Sequence, residues 1–287
     1  MSFGLLKQRD GLFFGDHMPA TGTAATPTPN DVEQGVADMD NPEPLPKLFQ
    51  PLTIRSCTVK NRLWVSPMCM YSAEDGFASE FHFGHYTQFA IRGAGLVMLE
   101  STGVLPEGRI TPGCLGLWED KQADSLAVIV RRMHEYGTTV GIQLNHSGRL
   151  GSSIPLSMYS ERSTYKANTN EGGWPESVFG PSSLAFSDQF WDPQELNKAQ
   201  IAQIQQAFAD SAMHADQAGF DVVDIHAAYG FLLNQFLSPT SNQRVDEYGG
   251  SFENRIRMLV ETVRLVRNVW PKEKPLFVSI SAVEGVD

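Results

Sequence analysis

The sequence predicts an α/β fold, a (β/α)8 TIM barrel represented by roughly its first five strands. Two observations carry that prediction. Strand-then-helix units repeat along the chain, and the strands are almost continuously apolar, as in a parallel sheet covered on both faces. A doubly wound sheet would share this pattern, so the polar residues decide. Ser66 and Cys69 follow the first long strand, Glu100 and Ser101 end the second, Gln143 and His146 end the third, and His226 ends the fourth. Chemistry spread over the C-terminal ends of several strands is the barrel arrangement. A dinucleotide fold would show a glycine fingerprint after its first strand, whereas Gly93-Ala94-Gly95 precedes a strand.

In chain order, residues 1–46 are expected to be a mostly flexible tail, since 18–46 are rich in Pro, Thr and acidic residues and too poor in large apolar side chains to offset the entropy of ordering. Residues 47–287 form the barrel domain. LFQPLTI and TVKN suggest a short hairpin, and the first strand runs from Arg62 to Met68. A helix near His82 to Arg92 is stopped by Gly93, and Leu96 to Glu100 makes the second strand. Ala123, Leu126, Val130 and Met133 stand at helical spacing before Gly137. Thr139 to Leu144 is the third strand. Asp192-Pro193-Gln194-Glu195 then offers an N-cap, a first-turn proline and a capping-box glutamate for a helix buried through Ile201, Ile204, Phe208 and Ala215. The fourth strand, from Val222, puts Val222, Asp224 and His226 on one face and Val223 and Ile225 on the other. Ser251 caps a helix with Ile256, Leu259, Val263, Val266 and Trp270 inward, and Pro275 to Ser281 is the fifth strand.

The chain has 287 residues, 41% of them hydrophobic, enough for a sizeable core. A net charge of -11 argues against nucleic acid or an anionic membrane as partner. Cys57, Cys69 and Cys114 make neither a disulfide framework nor a zinc site, so a reducing, cytoplasmic setting is expected. No apolar run is long enough to span a membrane. Asn145-His146-Ser147 matches a glycosylation sequon but carries no weight without secretion. Asp246 and Glu247 are a possible ligand site, but fit better as a solvated turn ending at Gly249-Gly250.

Four motifs occur in order: SPMCMYS (66–72), GIQLNHSGR (141–149), IHAAYGFL (225–232) and FLSPTSNQRVDEYGGSFENR (236–255). From Leu48 to about Ala282 the chain resembles the old yellow enzyme family of flavin-dependent ene-reductases, in particular the class with a cysteine near the flavin. The resemblance implies FMN reduced by NADPH or NADH, passing hydride to the alkene of an α,β-unsaturated carbonyl compound. It places Ser66, Pro67, Met68, Cys69, Ser101, Gln143 and Ser279 around the cofactor, and Tyr71, Cys69, His226 and Tyr229 in catalysis. His226 would donate to the substrate carbonyl, where enolate charge develops. An amide such as Gln143, both donor and acceptor, suits the flavin's pyrimidine edge. Dimers or tetramers are also implied.

The chain departs from that pattern at three places. Phe231 stands where a tyrosine normally gives the proton to the α-carbon, so isomerisation or slow reduction with solvent protons is expected. Tyr229 replaces a smaller polar partner. Ser279 replaces an arginine that stabilises the reduced flavin, which lowers the expected potential. The run ends at Asp287 after five strands, so the expectation is a partial barrel lacking the phosphate-binding loops. These departures support an alternative: a flavin-free barrel acting as a binding protein or a non-redox enzyme.

Overall fold

Period-two alternation along the central strands organises the molecule. In the computed structural model, which describes residues 46–283, five parallel strands stand in the order β3 (Trp64–Val65), β4 (Leu96–Gly103), β5 (Thr139–Asn145), β8 (Val222–Ala227) and β9 (Leu276–Ile280). The predicted tail lies outside the described residues except for Pro46. Each strand pairs with the one that precedes it in this sheet, with β6 (Phe179–Gly180) and β7 (Gln194–Glu195) lying outside it. A doubly wound sheet reverses its order partway, so this order selects the barrel.

The curvature agrees. Trp64 on the first strand of the sheet stacks on Phe277 of the last, with ring centroids 6.1 Å apart. Across a flat sheet four strand spacings would separate those strands by about 19 Å. On the concave face Leu96, Met98 and Val222 pack with Phe277 and with Cys57 and Val59. The latter two belong to an antiparallel hairpin, β1 (Leu52–Ile54) and β2 (Cys57–Val59), that closes the N-terminal end. On the convex face Val97, Leu99, Val140, Ile142, Val223, Ile225 and Ala227 join the main core. Helices α1 (Glu80–Ile91), α2 (Asp120–His134) and α3 (Lys198–Gln217) cover them. Behind β8 come α4 (Leu232–Leu237), α5 (Phe252–Arg255) and α6 (Arg257–Val269).

Three predicted details change. The first strand contracts from Arg62–Met68 to Trp64–Val65, because only those residues find ladder partners on β4. The helix expected from Asp192 starts at Lys198. Asn197 caps it, accepting from Gln200 N at 3.0 Å while Gln200 Oε1 accepts from Asn197 N at 2.9 Å. Gln194 and Glu195 instead form β7, parallel to β6 (Phe179–Gly180), because Gln194 N donates to Val178 O and Leu196 N to Gly180 O. A second capping box five residues on wins, since the ladder claims the first. Finally, Ser251 caps only α5, and the main helix resumes at Arg257 with Met258, Thr262 and Val266 as its buried residues.

Replacing Asn197 with Ala should cost about 1 kcal/mol in urea unfolding, whereas Asp192→Ala should leave the midpoint unchanged.

Candidate active site

The C-terminal ends of the strands gather two clusters. The first is anchored by Glu100, fully buried. Its Oε1 accepts from Tyr86 Oη at 3.0 Å and its Oε2 from Met70 N at 3.0 Å. His82 Nε2 lies 3.2 Å from Oε1, near enough for an ion contact but without hydrogen-bond alignment. The register of β4 on β5 shifts here: Leu99 faces Ile142 and Ser101 faces Gln143, with Glu100 the extra residue. Such a bulge re-aims side chains. Alternation alone would place Glu100 with Leu96 and Met98 on the concave face; the bulge gives the position opposite Gln143 to Ser101.

The segment tied down by Met70 carries Ser66, Pro67, Met68, Cys69 and Tyr71. Ser66 and Pro67 line one end of a concave cavity of about 460 Å³ that runs along Trp64, Leu96 and Met98 inside the curved sheet to Asp224 and Ser279, with Gln143 and His226 outside its lining. That is within the size range of small-molecule sites. Met68 is 52% exposed. Tyr71 is half-buried with φ +53°, and desolvation raises its phenol well above the ordinary value. Cys69 is half-buried, and its thiol neighbours that of Cys114. That neighbour, with burial, pushes the Cys69 thiol up, while the same contact draws Cys114 down.

The second cluster spans three strands. Asp224 Oδ2 accepts from Gln143 Nε2 at 2.8 Å and from Ser279 Oγ at 2.7 Å. Asp224 Oδ1 is buried with no partner. Burial raises the carboxyl, and the bonds from Gln143 and Ser279 oppose the rise. Gln143 thus spends one N–H on Asp224 and keeps its carbonyl oxygen and second N–H, the donor and acceptor pair of an amide.

His226, one residue-pair from Asp224 on the same face, is buried. Its Nδ1 accepts from Ala228 N at 3.4 Å, which assigns the proton to Nε2, and desolvation pushes its pKa down to about 4. It is therefore a neutral imidazole with Nε2–H free to donate. Phe231 packs edge-on against it at 4.9 Å and Tyr229 at 5.8 Å between centroids. Tyr229 is 80% exposed with φ +55°, its backbone N held by Ser281 Oγ at 3.0 Å. His146 is also buried and neutral, Nδ1 accepting from Gly148 N at 3.1 Å and burial lowering it to about 3.

Cys114 and Asp224, absent from the sequence-derived set, belong to these clusters; only the alternation of β8 signalled Asp224. Asp246 and Glu247 are structural. Asp246 binds the Arg244 guanidinium, which holds its carboxyl below the usual range, and Glu247 pairs with Lys198 at 2.7 Å. Asn145 of the sequon is buried. Among the described residues no group of His, Cys, Asp and Glu could hold a metal ion, and no helix is long and apolar enough to cross a membrane. The residues fit a flavin: the free face of the Gln143 amide, the unpartnered Asp224 oxygen and Ser101 form a donor and acceptor layer beside an apolar cavity.

Comparison with known proteins places the chain in a family. A sequence model of the NADH:flavin oxidoreductase / NADH oxidase family matches residues 47–287. An NADPH dehydrogenase of Clostridium acetobutylicum is 44% identical over 82% of this chain and 64% of its own length. An NADPH dehydrogenase of Bacillus subtilis is 43% identical, over 84% and 65%. The chain thus spans a little under two thirds of these relatives. Among solved structures, the Old Yellow Enzyme from Pichia sp. superposes with a TM-score of 0.70 at 28% identity, covering 82% of this chain and 59% of that one. Morphinone reductase gives 0.68 at 29%, covering 81% and 62%.

The depressed His226 pKa has a consequence for stability. The neutral ring is favoured in the folded state, so its stabilisation is complete above the ordinary 6.5 and is lost as pH falls through about 4. The loss should total about 3 kcal/mol. Urea unfolding between pH 7 and 4 should show it on top of the same-signed loss from buried His146, and His226→Gln should make that part of the profile less steep without flattening it.

Proposed function

This chain belongs to the NADH:flavin oxidoreductase / NADH oxidase family, and from that premise we propose that it is an FMN-dependent, NAD(P)H-oxidising enzyme acting on the alkene of an α,β-unsaturated carbonyl compound. The observation that carries the proposal is the neutral, buried His226, presenting Nε2–H at the mouth of the strands beside the Gln143–Asp224–Ser279 layer.

FMN, when bound, would supply the hydride chemistry between NAD(P)H and the substrate's β-carbon. The chain's own groups bind and polarise. Gln143 offers an amide edge to the ring, its orientation fixed by the bond to Asp224. Ser66 and Pro67 wall the cavity on one side and Ser279 on the other. His226 donates from Nε2 to the substrate carbonyl, where negative charge develops, and a fixed donor in a dry site stabilises that charge without reorganisation. Cys69 and Tyr71 flank the site from the segment pinned to Glu100. Phe231 has no acidic hydrogen, so the proton for the α-carbon comes from solvent.

Titration of the purified chain with FMN should quench flavin fluorescence and give a yellow protein that NADPH bleaches under anaerobic conditions. Gln143→Leu should weaken FMN binding roughly tenfold, the worth of a buried hydrogen bond. A colourless protein that takes up no FMN would favour the flavin-free alternative.

Phe231→Tyr should raise net alkene reduction several-fold relative to isomerisation, followed by deuterium incorporation from solvent at the α-carbon. No gain in the FMN-loaded variant would sink the proton-donor argument.

A further inference from the structure

Cys69 and Cys114 come from different strand-end segments, and the fold fixes both. The Cys69 segment is held by Met70 N on Glu100 Oε2 and by Ala73 N on Gly113 O at 2.9 Å. Gly113 lies so close to Tyr71 that a Cβ there would stand 2.7 Å from the Tyr71 carbonyl oxygen. Only glycine allows that approach, and it delivers the next residue, Cys114, to the Cys69 thiol. Thr111 steadies the loop from within, its Oγ1 accepting from Gly113 N at 3.2 Å and lying 3.4 Å from Cys114 Sγ. Both cysteines are thiols in the structure. Cys57 is placed elsewhere, its Sγ 3.9 Å from Thr139 Oγ1 at the other end of the sheet.

We propose that Cys69 and Cys114 are a reversible redox pair, a dithiol that hydrogen peroxide closes to an intramolecular disulfide. Solvent reaches half-buried Cys69, whereas Cys114 is 1% exposed. Cys69 sulfur attacks the peroxide O–O bond, forming a sulfenic acid and releasing one water. Cys114 sulfur then attacks Cys69 sulfur; the S–S bond forms, the S–O bond breaks, and the hydroxyl leaves with the Cys114 proton as a second water. Two thiols are oxidised by two electrons, and one peroxide is reduced to two waters. Access sets this division of roles, because Cys114 is closed to peroxide and Cys69 is the more open of the two. Glu100 nearby disfavours a thiolate at either sulfur, so the rate should be modest. Closure would remove the thiol from the rim of the site. The pair does not rest on flavin binding, since it is made wholly by the chain.

The test is peptide mapping of the chain, with and without added FMN, after a small molar excess of hydrogen peroxide and alkylation of the remaining thiols. A Cys69–Cys114 linked peptide is expected in both samples, with Cys57 alkylated and the linkage reversed by dithiothreitol. In Cys114→Ser the linkage should vanish and Cys69 should advance to the sulfinic acid. Wild-type Cys69 that over-oxidises without linking to Cys114, or that links to Cys57 or to a second chain, would overturn the proposal, whatever the outcome of FMN binding.

Discussion

A single buried carboxylate, Glu100, fixes the relation between the sheet and the segment that borders the site. Fully buried, it would carry a penalty of several kcal/mol without donors. Tyr86 and Met70 N supply them. His82 and Tyr86, four residues apart and so on one face of α1, commit that helix to the strand end. The bulge makes the arrangement possible, since the extra residue in β4 turns Glu100 to these partners and Ser101 toward Gln143. One residue therefore sets the helix, the position of Cys69 and Tyr71, and the composition of the concave layer.

The electrostatics of that layer are restrained. Its histidines are kept neutral by desolvation, and Asp224 is held by an amide and a hydroxyl rather than by a cation. Neutral donors leave the carboxyl oriented but incompletely satisfied. The Ser279 hydroxyl, where the resemblance implied an arginine, has thus turned to Asp224.

Much of this was legible in the sequence. Period-two alternation separated Val223 and Ile225 from Asp224 and His226, and near-continuous apolar strands announced the parallel sheet, because both follow from local geometry. The motif residues Gln143 and His226 fell at strand ends as expected. What was hidden depended on contacts distant in the chain. The bulge at Glu100 inverts the parity that would assign Ser101. The pairing of Cys69 with Cys114 requires the close approach of Gly113 to Tyr71. The start of α3 was misplaced because the segment at Asp192 carries a sound capping signature, and only its ladder with Val178 and Gly180 removes it from the helix.

The strand order holds an implication for how the chain acquires its shape. Since β3, β4, β5, β8 and β9 are laid down side by side in the order of synthesis, every new strand finds its partner already exposed. No strand has to be kept open for a neighbour made much later. The connections differ in length, from a single α-helix between β4 and β5 to a long insertion carrying β6, β7 and α3 between β5 and β8, and the longer ones cost more entropy to close. The order of pairing nonetheless lets the sheet grow vectorially as the chain emerges, with its newest strand as the only forward-growing edge.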